Sequence, residues 1–577
     1  MRAMCNKVKT KYQIAKEEAD LVDSQIIETL QRGWNFRVEA GAGAGKTYSL
    51  NKVIEWLQDN KCKEYSSKNQ KVICITYTNA AVDVILQRLR DNSFIIPSTI
   101  HSFAWNAIRQ YQSTLIKIIN ETEYFNCDGY NGDNVSSVLY TLGHRYVERQ
   151  ILYLAHDDVI RLFCLLLDNE KFRKVFSKKY PLILIDEYQD SFAQIIDQFI
   201  KYFISRGQGP QFGFFGDSWQ TIYQSQKACG LIEHENIIEI KKKSNFRSAQ
   251  KIVNLLNKIR PELPQIAADE SCGEAIVITC NDYNGARRSD RYFKDDLPVE
   301  VFRDRLNVLT RHIKEKYNLE KESLKHLMIT HKILAAQQGY ETLLEFLGDS
   351  LKDKEDPLLV FFMNTVEPIY KALQTKDTQL LFQTLGIKRY PIVKKLDKIK
   401  WKQLEIQLIQ MRPKKAIDVL KVVVDSQLVP IPQSVGEIYK QYYQCPTSNY
   451  NETTIKAILD IEYNQFLSAI DFFYPEAEFS TEHGVKGEEY DNIVFVISKG
   501  WVNYQFEKYA PMIFNGYPAD KEASYVRNRN LFYVCCSRPK KRLFIFVTIP
   551  VDDEFQSFLE KLVGKDNVHE FNEYLQM

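Results

Sequence analysis

Phe36-Arg-Val-Glu-Ala-Gly-Ala-Gly-Ala-Gly-Lys-Thr47 is the stretch that decides the fold. Its opening, Phe36-Arg-Val-Glu-Ala40, reads as a strand, and residues 46–58 read as a helix. Ala40, Gly41, Ala42, Gly43, Ala44, Gly45, Lys46 and Thr47 join them, the strand–loop–helix setting that a phosphate-binding loop requires. Glycines let backbone N–H groups close around phosphate oxygens, and the helix N-terminus adds a favourable dipole. Lys46 then reaches the outer phosphates, and the Thr47 hydroxyl holds a divalent cation. The strict pattern has glycine at the place of Ala40. On this stretch alone, a glycine turn without a ligand is the competing reading.

Outward from the loop, strand and helix alternate. Residues 71–76 read as a second strand and 79–90 as the next helix. Leu182-Ile-Leu-Ile-Asp186 and Phe212-Gly-Phe-Phe-Gly216 are apolar on both faces, as in a parallel sheet covered from both sides. The same texture returns at residues 275–279, 327–330, 492–497 and 543–548. Between the two groups lie helix-like stretches at 106–180 and 351–475. The expected architecture is therefore α/β, with two lobes built on parallel sheets, each carrying a helical insertion. The first lobe covers residues 1–105 and 181–232 around the insertion 106–180, and the second covers 233–350 and 476–577 around the insertion 351–475.

Asp186-Glu187 closes one of these strands. Asp186 suits a position beside a nucleotide-bound cation, and Glu187 suits the orientation and deprotonation of an attacking water. An Asp-Glu pair at a strand end is common by chance. Coupled to a phosphate loop in one sheet, it points to nucleoside triphosphate hydrolysis with ATP and Mg²⁺.

Composition excludes more than it proves. The 577 residues allow three or four domains, and a formal net charge of +2 neither announces nor excludes a nucleic-acid partner. No apolar run approaches the roughly 18 residues of a bilayer span, and residues 1–20 lack the apolar core of a signal peptide. Eleven cysteines are scattered without paired metal spacing, and Cys535 and Cys536 are adjacent. A cytoplasmic chain with reduced thiols and no membrane contact is expected.

Eight segments, in order, carry a resemblance to a known family. They are Gln25, which lies 21 positions before Lys46, Thr76-Tyr-Thr-Asn-Ala-Ala81, Thr99-Ile-His-Ser-Phe103, Asp186-Glu-Tyr-Gln-Asp-Ser191, Gly216-Asp-Ser-Trp-Gln-Thr-Ile-Tyr223, Ser244-Asn-Phe-Arg-Ser248, the run from Thr481 to Tyr490, and Leu531-Phe-Tyr-Val-Cys-Cys-Ser-Arg538. Together with the phosphate loop they resemble the UvrD/Rep/PcrA branch of superfamily 1 helicases. The resemblance implies two RecA-like P-loop lobes with ATP·Mg²⁺ between them and single-stranded DNA, or DNA with a single-stranded tail, across their tops. It implies that Gln25 reads adenine and that Gln220 and Arg247 sense the γ-phosphate. It places Glu489 near the ribose, makes Arg538 the arginine finger, and turns Tyr77, His101 and Tyr223 toward DNA. The implied activity is 3′ to 5′ translocation.

The departures from that pattern are as informative. Ser225 and Gln226 stand where the family has a base-stacking aromatic and an arginine. Trp219 is unusual at its position and reads either as a replacement stacking ring or as packing under the sheet. Tyr48 and Phe246 are placed to sandwich the adenine, with ordinary packing as the alternative. Within the second insertion, residues 388–415 carry ten lysines and arginines against Asp397 and Glu405. That run reads as a phosphate-tracking patch, a solvated helix face or a protein-docking surface. Lys241-Lys-Lys243 reads as a solvated strand edge, and His101 and His483 fall inside matched segments. Only about 29 residues follow the last strand, too few for a nuclease domain. Short chains of this type resemble the helicase subunit of Gabija-type antiphage systems, which works beside an OLD-family nuclease. Repair, recombination and phage defence all remain open at this point, as does an ATP-gated regulatory subunit that unwinds little.

Overall fold

β1 (Asn35–Ala40), β2 (Val72–Thr76) and β3 (Ile95–Thr99) are the first strands of the chain. The computed structural model describes residues 9–76, 78–90, 94–127, 130, 135–141, 145–221, 228–291, 293–320, 323–328, 335, 338–352, 356–386, 395–444, 450–473, 479–481, 488–499 and 503–577. After β3 come three short strands, β4 (Ser137–Tyr140), β5 (Tyr146–Glu148) and β6 (Ile151–Leu154), and then β7 (Leu182–Asp186), β8 (Gln211–Gly216) and β9 (Ile237–Lys242). The main sheet has the order β3-β2-β7-β8-β1-β9, and all five neighbouring pairs are parallel.

Apolar character on both faces of these strands follows from what covers them. Phe36, Val38, Leu182, Leu184 and Phe215 pack with Leu50, Val53, Ile54 and Leu57 of the helix Lys46–Asn60. Ile73, Ile75, Ile183, Ile185, Phe212 and Phe214 face the other way, onto Phe103, Phe163 and Phe199. Each such fully buried side chain contributes about 1.5–3 kcal/mol, so two covered faces specify the register twice over. Arg37 and Glu39 are the exceptions in β1, and both are buried.

The stretch 106–180 is not helical throughout. It includes the sheet β4-β6-β5, parallel between β4 and β6 and antiparallel between β5 and β6. Val138, Leu152 and Leu154 are fully buried there, whereas Leu139 and Tyr146 are exposed. Strands of three and four residues leave too short an alternation to stand out beside helices.

Beyond β9 the chain makes the two-residue parallel pair β10 (Ser244–Asn245) and β11 (Ile266–Ala267), then β12 (Glu274–Thr279). By compactness the chain divides into two units, Met1–Asn284 with Glu482–Phe495 and Val502–Met577, and Gly285–Thr481 with Val496–Trp501. The second unit contains β13 (Leu324–Met328) paired in parallel with β14 (Phe479–Thr481), and a set of helices. Returning to the first unit, β15 (Tyr490–Ile497), β16 (Pro539–Val547) and β17 (Val568–Glu570) join β12 in the order β15-β16-β12-β17.

In the second unit, the helix Lys395–Met411 buries Trp401, Leu404 and Leu408 and exposes Ile399, Ile406 and Ile409. Three residues of the basic run 388–415 are paired within the unit: Lys402 with Glu405 at 2.7 Å, Arg412 with Glu367, and Lys415 with Asp460 at 3.0 Å. Lys388, Arg389 and Lys394 lie outside the described residues. Among the described residues no helix is long and apolar enough to cross a membrane.

Candidate nucleotide site

Ala40 ends β1 in strand conformation, so this place does not need glycine. The two positions whose backbone does are Gly43 and Gly45, at φ +74° and +79°. At Gly43 a β-carbon would also come within 2.7 Å of Cβ of Arg247 and 2.9 Å of Oδ1 of Asn245. The loop therefore turns where only glycine fits, and turns into contact with the end of β10 and the residue Arg247 beyond it. The Ala42 carbonyl accepts from Nδ2 of Asn245 and Nε2 of Gln265, and its N–H donates to Oη of Tyr533.

A cavity of about 510 Å³ opens against this loop, within the first compact unit. From the first sheet it is lined by the loop residues 43–47, by Thr78, Asp186, Glu187 and Asp190, and by Gln220. From the elements around the second sheet come Phe246, Arg247, Glu489 and Arg538. Gly41 also borders it. Ala40 and Ala42 are buried behind the surface, while Gln25 and Tyr48 are exposed outside the lining.

Asp186 and Glu187 leave β7 with different backbones. Glu187 sits at φ +47°, a left-handed conformation that costs an L residue about 1 kcal/mol and is held only where the surroundings insist. Nε2 of Gln189 donates to its carboxylate at 2.6 Å, and Lys46 Nζ stands 3.7 Å away. Burial pushes the Asp186 carboxyl up to about 7, and the neighbouring Glu187 charge adds to that while Lys46 opposes it. Such a site favours a cation between the carboxylates and a polyphosphate.

The opposite wall is cationic. Arg538 is fully buried and donates from Nη2 to Oε1 of Gln220 at 2.9 Å and from Nε to the Val534 carbonyl at 3.2 Å. Burial lowers its guanidinium to about 10, helped by the charge of Arg247. Arg247 donates to Glu489 at 2.9 Å and to the Ser537 carbonyl at 3.1 Å. Burial raises the Glu489 carboxyl, but Lys540 and Arg247 outweigh it and leave the group below its ordinary range. Loop N–H groups, Lys46 and two arginines form a donor set for a triphosphate. The Thr47 hydroxyl and the Asp186 carboxylate are hard oxygen ligands of the kind Mg²⁺ takes.

Phe246 is 41% exposed at the cavity edge, with Tyr12 edge-on at 6.2 Å. The Tyr48 ring carries Lys52 Nζ 4.9 Å from its centre. Trp219 is covered by the Arg529 guanidinium at 3.7 Å and meets Tyr533 edge-on at 5.6 Å, which is packing. His101 stacks on His156 at 4.4 Å and meets Phe192 at 5.2 Å, so its ring is engaged within its own fold. Tyr77, Tyr223, Ser225, Gln226 and His483 lie outside the described residues.

The family model for the AAA domain matches residues 23–226, the span from the first helix through the Gln220 segment. Beyond that span the chain is similar from end to end to the Gabija protein GajB of Bacillus cereus strain HuB5-5, at 21% identity over 95% of this chain and 98% of the relative. It is similar at 22% identity to the Gabija protein GajB of strain VD045, over 93% of this chain and 97% of that relative. The matched span holds the phosphate loop, Asp186, Glu187 and Gln220, whereas Arg247, Glu489 and Arg538 lie outside it in sequence.

Sequence reading left several residues of this site unassigned. Glu39, Gln189, Asp217, Asn245, Arg260, Gln265 and Tyr533 all hold site residues or the loop in place. One signal was present in the sequence. A strand buried on both faces has no place for Arg37 and Glu39 unless partners await them.

Proposed function

We propose that this chain is an ATP hydrolase stimulated by single-stranded DNA, which moves along that strand from 3′ to 5′. One observation carries the reading. Lys46, Asp186, Glu187, Gln220, Arg247 and Arg538, drawn from segments up to about 490 residues apart, line a single cavity. Hydrolysis of a phosphoanhydride needs an oriented water and positive charge around the transferred group. Glu187 orients that water and accepts its proton, with Gln189 holding the carboxylate. Lys46 and the loop N–H groups take the phosphate oxygens, and Arg247 and Arg538 take the charge that develops on the γ-phosphoryl group. Thr47 and Asp186 would hold Mg²⁺, which neutralises charge on the β- and γ-oxygens.

The lysine belongs to one lobe and the arginines to the other, so nucleotide binding closes the lobes and product release opens them. DNA gripped by both lobes then advances. Both relatives carry the Gabija name, and this chain resembles the helicase subunit of such systems along nearly its whole length. We therefore place it in antiphage defence, in a complex with an OLD-family nuclease subunit.

The test is ATP hydrolysis with and without single-stranded DNA, with Lys46→Ala as the blank. Stimulation by DNA is the expected result, because closure of the lobes completes the site, and the blank should abolish it. A flat response from a chain that binds nucleotide sinks the autonomous motor and leaves a subunit that waits for its partner.

A further inference from the structure

Beneath the cavity lies a buried ionic network that the hydrolysis scheme does not use. Arg260 follows the helix Gln250–Ile259, and its side chain is 4% exposed. Nη2 donates to Oε1 of Glu39 at 2.7 Å, and Nη1 donates to Oδ1 of Asp217 at 2.6 Å. Both carboxylates belong to the first sheet: Glu39 stands in β1 just before the phosphate loop, and Asp217 follows β8. Glu39 also accepts from Oη of Tyr188 at 2.6 Å, from the Ser218 N–H at 2.9 Å and from Ser218 Oγ at 2.7 Å, and Arg37 lies 3.7 Å from it. Tyr188 is the residue after Glu187. The second oxygen of Asp217 accepts from Nε2 of Gln220 at 2.8 Å, and the amide oxygen of that glutamine accepts from Arg538.

A buried ion pair of this kind is a poor way to gain stability, because apolar residues of equal volume hold two elements together at least as well. What charges supply is a fixed orientation. The Gln220 amide has its nitrogen assigned by Asp217 and its oxygen by Arg538, so it cannot flip without breaking both bonds. Asp217 is in turn set by Arg260, whose other arm holds the strand that feeds the phosphate loop.

We propose that Arg260 is a positioning residue for recognition of the γ-phosphate: through Asp217 it orients Gln220, and through Glu39 it keeps that amide in register with the phosphate loop. The proposal rests on the ATP-hydrolase reading above and adds to it the residue through which the second sheet's helix reaches the sensor. Arg260 touches no phosphate itself.

The test uses the full chain in three forms: wild type, Arg260→Met, and Glu39→Leu with Arg260→Met. The single variant strands two carboxylates, Glu39 and Asp217, and should lower Tm, and the double variant removes one of those charges and should recover part of the loss. With saturating DNA, both variants should lose kcat by about 10²-fold, the size expected when a distant change misplaces a reacting group. The dissociation constant of a fluorescent ADP analogue should stay within about threefold, since the direct ligands of the other phosphates are intact. Recovery of kcat together with Tm in the double variant overturns the proposal and leaves a purely structural clamp. So does a single variant that keeps kcat near the wild-type value. A second readout is free of turnover. Wild type should gain more Tm from a non-hydrolysable ATP analogue than from ADP, and the double variant should lose that difference while still responding to both. A wild type that hydrolyses nothing refutes the ATP-hydrolase reading but leaves this thermal comparison to decide on Arg260. A wild type that binds no nucleotide overturns both.

Discussion

The two walls of the nucleotide cavity are built by different means. On the first-sheet side, placement is local: Gly43 and Gly45 turn the loop through left-handed backbone, and Glu187 is aimed by its own φ of +47°. On the other side, placement is remote. Arg538 is held by Gln220 from 318 positions away, and Arg247 by Glu489 from 242. A wall turned by its own backbone depends less on the other wall to bind phosphate, although Asn245, Gln265 and Tyr533 brace its loop. A wall set by long-range partners exists only when both sheets are in place. The first wall should therefore govern binding, and the second turnover.

Arg538→Ala is the strongest way to break that division. With saturating DNA it should lower kcat by about 10³-fold, as removal of an arginine finger does, while the dissociation constant for an ATP analogue rises less than about tenfold. Single-turnover hydrolysis and fluorescence titration on the same preparation give the two numbers. If affinity falls as far as turnover, the walls are not divided in this way and Arg538 serves both steps.

The first wall has its own clamp, and its loss should appear in stability. Asp23, on the helix Lys11–Gln31, accepts from Lys242 of β9 at 2.9 Å, from Ser49 and from Lys52, so it ties the phosphate-loop helix to the sheet. Burial alone would raise its carboxyl, but the hydrogen bond from Ser49 and the charge of Lys242 hold it below the ordinary range. A carboxyl lowered in the folded state stabilises above its unfolded value of about 4. That stability is lost as pH falls through the folded value. Asp23→Asn leaves Lys242 buried without its counter-charge and should cost about 3 kcal/mol at pH 7. The Tm gap to wild type should be widest at neutral pH and close below pH 4, with kcat changed by less than about threefold. A gap that widens in acid contradicts the assignment.

The same contrast separates what could be read in the sequence from what could not. The phosphate loop and Asp186-Glu187 announce themselves because local backbone places them, and a dozen residues contain the whole instruction. Arg247 and Arg538 became legible only through resemblance, since nothing near them in the chain says what they face. Glu39 and Arg260 match no motif, and the sequence assigns them no role. The basic run in the second insertion shows the same limit, because Glu367 and Asp460, each 45 positions from its partner, neutralise part of it. Trp219 stood between two readings until Arg529 and Tyr533 were seen to cover it. In each case the missing information is a partner distant in sequence.

The smallest expected effect asks which wall carries the adenine. Phe246 belongs to the second wall and borders the cavity, whereas Tyr48 belongs to the first and is 58% exposed outside the lining, with Lys52 over its ring. An aromatic contact to one ring is worth about 0.5–1.5 kcal/mol beyond the area it buries, so Phe246→Ala should raise the KM for ATP by about threefold to tenfold. Tyr48→Ala should change it by less than about twofold, because Lys52 already takes its ring and little is lost on truncation. Equal rises in the two variants would mean that Tyr48 leaves Lys52 and closes on the base from the other face. The first wall would then contribute to base recognition as well as phosphate binding, and the adenine would be a second point, besides the γ-phosphate, at which both sheets must meet.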